Sequence, residues 1–205
     1  MTSSDILAKL FGSANRVKLL RLFSLNPDKV FSSQEIYQRA KVSKQAGRKE
    51  ITLLKSIGFI KPKSEFIEIE TKNKKVLRKK IHGWKLNDSF PLMLGLKSFI
   101  LDTAPFSKDQ LLKKLQKAGR LKLVILSGIF GEENLSRVDI LVVGDSIRKK
   151  ILERVIRDIE AEVGRELTYA SFNTEDFLYR LGMYDKFIRD ILDYPHEKIL
   201  DKIGI

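Results

Sequence analysis

Residues 29–62, KVFSSQEIYQRAKVSKQAGRKEITLLKSIGFIKP, constrain this chain more than any other stretch, because they spell two capped helices one tight turn apart. Ser32 followed by Glu35 is a capping-box pair, which predicts a short helix over 32–40 with Ile36 and Tyr37 partly buried. Lys41 and Val42 turn the chain. Ser43 then caps a further helix that runs to Ile57, where Gly58 takes the C′ position. Upstream, Val17, Leu19, Leu20, Leu22 and Phe23 fall at helical spacing within 14–25, and Asn26-Pro27-Asp28 ends that helix.

In the helix that Ser43 opens, Val42, Ala46, Ile51, Leu54 and Ile57 supply an apolar stripe, which turns Lys44, Gln45, Arg48 and Lys49 outward. These side chains have the chemistry to read base edges: Gln pairs with adenine, Arg or Lys with guanine. A hairpin is expected next, over 59–86. Phe66, Ile67 and Ile69 form its first β-prone run, 71–74 a polar turn, and 76–86 the returning strand. Its turn and second strand carry Lys72, Lys74, Lys75, Arg78, Lys79 and Lys80, six cations that repel one another unless phosphates neutralise them. Trp84 and Ile81 are read as packing the hairpin on the core.

The overall charge agrees with that reading through its distribution. Of the net +13, residues 1–90 hold +12 (20 Lys and Arg against 8 Asp and Glu) and residues 91–205 only +1. A half this basic suits a polyanion, and double-stranded DNA is the expected partner. No cysteine is present, which excludes disulfides and thiolate zinc sites, and His82 and His196 stand far apart without partners at metal spacing. Neither a membrane-length apolar run nor a signal-peptide pattern occurs in the sequence, so a cytoplasmic protein with no membrane association is expected.

The 29–62 segment resembles the helix-turn-helix and wing entry of winged-helix transcriptional regulators of the ArsR and MarR types, the likeness covering about residues 13–86. The resemblance implies a DNA-binding winged helix over 1–90, with Ser43, Lys44, Gln45, Arg48 and Lys49 on its recognition helix and the six hairpin cations on its wing. Residues 91–119 are expected to be a helical connector, with helices over 91–103 and 107–118, of the kind that joins such regulators into homodimers. No Cys or His cluster supports a metal-sensing mode.

From Leu121 the expected order is strand, loop, strand (138–143), helix (146–163), strand (167–172) and a helix from Thr174 to about Leu192. Residues 122–144, KLVILSGIFGEENLSRVDILVVG, resemble the active-site segment of nucleotidyltransferases, as residues 173–180 resemble the stretch after that family's last strand. The resemblance implies a small α/β nucleotidyltransferase-like domain over 120–205, so the whole is expected to be an α+β protein. In that family two acids one residue apart on a strand hold Mg²⁺. Here Arg137 takes the first acid position, leaving Asp139, and the later strand offers only Glu166. A guanidinium repels a metal and attracts phosphate. The expected domain is therefore non-catalytic, with no metal, cofactor or catalytic residue. Ser127, Gly128, Gly131, Arg137 and Asp139 are its candidate residual pocket for a nucleotide or small-molecule effector. The alternatives are a metal-dependent transferase acting on a protein or RNA through Asp139 and Glu166, and an RNA-binding protein.

Overall fold

The computed structural model describes residues 3–70, 76–101, 105–131 and 136–205. It is a mixed α/β protein with two small sheets, and the chain divides into two compact units. Met1–Pro105 together with Glu160–Arg165 form the first; Phe106–Ile159 and Glu166–Ile205 form the second. The stretch 91–119, expected as one connector, is thus shared between them.

Five helices and a hairpin build the first unit from the described residues: α1 (Ser3–Leu10), α2 (Ala14–Leu25), α3 (Ser33–Arg39), α4 (Lys44–Ser56), β1 (Ile60–Glu70), β2 (Val76–Leu86) and α5 (Met93–Leu101). The expected capping box at Ser32 and Glu35 is formed in both directions, and Ser43 accepts a hydrogen bond from the Ala46 N–H. Helix α1 was not anticipated. The core draws Leu19, Leu20 and Phe23 from α2, Ile36 from α3, Ile51 and Leu54 from α4, and Phe59, Leu86 and Ile100 beyond them. β1 and β2 run antiparallel with Ile60 opposite Leu86 and Glu70 opposite Val76. Phe31 fastens the hairpin root, exchanging both backbone hydrogen bonds with Trp84 at 3.0 and 2.9 Å.

The second unit holds α6 (Lys108–Leu115), β3 (Arg120–Leu126), β4 (Ile140–Asp145), β5 (Tyr169–Phe172), α8 (Thr174–Gly182), α9 (Lys186–Asp193) and β6 (Glu197–Asp201), with α7 (Lys149–Val163), as far as Ile159, preceding β5. The sheet order is β5-β4-β3-β6, with β3 antiparallel to both neighbours and β4 parallel to β5. Both faces are covered. Leu123, Ile125, Leu141 and Val143 pack with Phe177, Ile188 and Ile191, and the alternating Val124, Ile140 and Val142 are equally buried on the other face.

Two expectations from the sequence change here. The single helix expected after Thr174 is broken, because Tyr184 adopts φ 54° and Asp185 restarts the chain, its Oδ1 accepting hydrogen bonds from the Phe187 and Ile188 N–H groups. Strand β6 was not foreseen; it exists through its pairing with β3, a partner some 75 residues away in sequence.

Candidate nucleic-acid interface

Helix α4 is held to the core by one face and exposes the other. Val42, Ile51 and Leu54 are buried, as the apolar stripe required, but Ala46 is only half-buried and Ile57, at the cap, is 52% exposed. Gly47 and Glu50 complete the inward face instead. At Gly47 a Cβ would overlap the Tyr37 ring, so the absence of a side chain lets α3 and α4 approach closely. Glu50 is buried and accepts a 2.9 Å hydrogen bond from Arg16 Nε of α2, whose Nη1 also donates to the Phe11 carbonyl. Burying that carboxylate is tolerable because it is paired. Periodicity overlooked Glu50 because it treats a charged residue as a surface residue.

On the opposite face Lys44, Gln45, Arg48 and Lys49 are all exposed, and Ser43 beside them is used as the cap. Thr52, one turn beyond Arg48, extends this row and was not foreseen. The row borders two shallow grooves. Lys44, Gln45, Arg48, Lys49 and Thr52 line one; Lys44, Arg48 and Thr52 meet Ser33, Gln34, Tyr37 and Trp84 in the other. Trp84 is half-buried against the core, its Nε1 donating to Ser33 Oγ at 3.3 Å and the Lys55 ammonium 5.7 Å from its ring centre.

Of the six hairpin cations, Lys72, Lys74 and Lys75 lie outside the described residues. Arg78, Lys79 and Lys80 are exposed on β2. Strand alternation sets Arg78 and Lys80 on the ladder face of Trp84 and Lys79 on the other, so these three cations do not form one stripe. Phe66, opposite Lys80, is exposed.

In the second unit Ser127, Gly128 and Asp139 are brought together in a buried knot. Ser127 Oγ donates to the Val138 carbonyl at 2.6 Å and accepts from Ser136 Oγ at 3.0 Å. Asp139 lies just before β4; its Oδ1 accepts from the Ile129 N–H at 2.9 Å and its Oδ2 from the Thr168 N–H at 2.8 Å. Gly128, at φ +55°, passes so close to Oδ1 that a Cβ would overlap it. Both carboxylate oxygens are therefore engaged in tying the turn after β3 to the approach of β5. Gly131 is exposed, Arg137 is half-exposed and ion-paired to Asp190 at 2.5 Å, and Glu166 is exposed. Among the described residues no cluster of three His, Cys, Asp or Glu could hold a metal, and no helix is long and apolar enough to cross a membrane.

The described residues thus present a mixed α/β chain whose first unit exposes a cationic helix face beside a hairpin. No family model, curated protein or solved structure matches the chain.

Proposed function

We propose that the chain is a sequence-specific DNA-binding transcriptional regulator of the cytoplasm, in which the first unit acts as a winged helix and the second as a nucleotidyltransferase-like module that senses or binds without transferring a nucleotide. The observation that carries this reading is α4. Its inward face packs through Gly47 against Tyr37 and through Glu50 against Arg16, while Lys44, Gln45, Arg48 and Lys49 stand exposed on a capped element. Such a helix enters a major groove with its base-reading side chains already positioned. The order α3, turn, α4, hairpin supports the winged-helix reading. The order α6, β3, β4, α7, β5, α8 supports the transferase-like one.

Arg137 in the first acid position, and an Asp139 whose oxygens both accept backbone N–H groups, favour a module without transfer chemistry. Gly131 and Arg137 remain its exposed groups for a phosphate-bearing effector. The regulator is proposed to act as a homodimer, two recognition helices meeting successive major grooves about 34 Å apart. In support, α1 exposes Leu10 and α5 exposes Leu94, 86% exposed; large apolar side chains of this kind suit a second copy.

Selection of duplexes from a random pool by the full-length protein tests the reading. A palindromic winner bound about a thousandfold above scrambled DNA is expected across a salt series. Equal affinity for both would overturn sequence-specific regulation and return attention to RNA.

A further inference from the structure

We propose that Thr52 is a specificity-determining residue that reads the C5-methyl group of a pyrimidine in the major groove. The inference rests on the DNA-binding reading above and deepens it. Thr52 is exposed on α4, one turn after Arg48 and two after Lys44, and it shares with both of them the lining of the grooves on either side of the cationic row. A duplex seated on that row passes over Thr52.

What Thr52 offers the duplex is set by its own hydrogen bond. Its Oγ1 donates to the Arg48 carbonyl at 2.9 Å, so the hydroxyl hydrogen is committed to the helix backbone. The side chain can then no longer donate to the base acceptors N7, O6 or O4; its oxygen keeps only the capacity to accept, and its apolar contact is its methyl group. Among base edges, the apolar complement of a methyl is the C5-methyl of thymine, which is also the group that distinguishes 5-methylcytosine from cytosine. Four residues of helix separate Arg48 and Thr52 by about 6 Å. With base pairs about 3.4 Å apart, the methylated pyrimidine lies about two base pairs from the guanine that Arg48 reads.

The test uses the full-length protein and its selected duplex. Each thymine of a half-site is replaced in turn by deoxyuridine, which removes only the C5-methyl. One substitution, about two base pairs from the guanine whose preference disappears in Arg48→Ala, is expected to weaken binding about fourfold, the effect of one buried methyl. Thr52→Ser should lose the same factor on the thymine duplex and cease to distinguish thymine from uracil, whereas Thr52→Val should keep the distinction. Cytosine at that position should bind about fourfold more weakly than 5-methylcytosine. Equal binding of uracil and thymine at every position, or a Thr52→Ser protein that still separates them, would overturn the role of Thr52 while leaving the regulator standing. A selection that enriches no sequence would overturn both.

Discussion

At the scale of single residues, Gly47 and Asp139 do work that their types conceal. In Gly47→Ala the added methyl meets the Tyr37 ring, and overpacking of this kind costs about 1–3 kcal/mol, more than the roughly 1 kcal/mol that Ala gains over Gly in a helix. A lower thermal midpoint is expected, and combining the change with Tyr37→Ala should reverse its sign, which a double-mutant cycle measures. Asp139→Ala strips the acceptors from the Ile129 and Thr168 N–H groups and should cost roughly 2–4 kcal/mol in urea unfolding. A transferase that used Asp139 for chemistry would lose turnover instead, with its stability little changed. The sequence displayed Asp139 within a motif, but its two backbone partners are 10 and 29 residues away, and nothing local announces them.

At the scale of elements, caps and charges decide where helices begin and what they meet. The C-terminal residue of β4, Asp145, is tied to the first residue of α8: Thr174 Oγ1 donates to its Oδ1 at 2.7 Å, and Lys122 lies 2.9 Å from Oδ2. The Thr174 hydroxyl first, and then Lys122, hold this carboxyl below its ordinary value near 3.8. A lowered folded-state pKa stabilises above the unfolded value, and that contribution is lost as pH falls through the folded one. In Thr174→Val the Asp145 pKa should rise toward the ordinary value, so that the contribution is smaller and its loss is complete at a higher pH; carboxyl titration by NMR in both proteins checks this. For α4 and the hairpin, Arg48→Ala should reduce discrimination between sequences. Lys79→Ala should weaken all duplexes alike and reduce the salt slope by about one, as expected of a phosphate contact. Equal loss of specificity in both would contradict that division of roles.

At the scale of the whole molecule, the exposed apolar residues on α1 and α5 bear on assembly. Sedimentation of the full-length protein without DNA is expected to show a dimer that Leu94→Glu weakens at least tenfold, because a carboxylate would be buried in an apolar contact; a monomer at every concentration would remove the proposed homodimer. By itself the sequence determined the features that rest on neighbours within a few residues. Ser32 with Glu35 and Ser43 with Ala46 close their caps locally, Gly58 ends α4, and the Lys44, Gln45, Arg48 and Lys49 row follows from helical period alone. The +12 of residues 1–90 is likewise a property of composition. Only the tertiary structure decided that Glu50 is an inward residue, that β6 pairs with β3, and that Asp139 spends both oxygens on backbone amides. Each of these depends on a group brought close by folding. Hydrogen bonds and ion pairs act over about 3 Å in space, whatever the separation along the chain, and periodicity and capping rules register only the part of that proximity that lies within one helical turn or one strand.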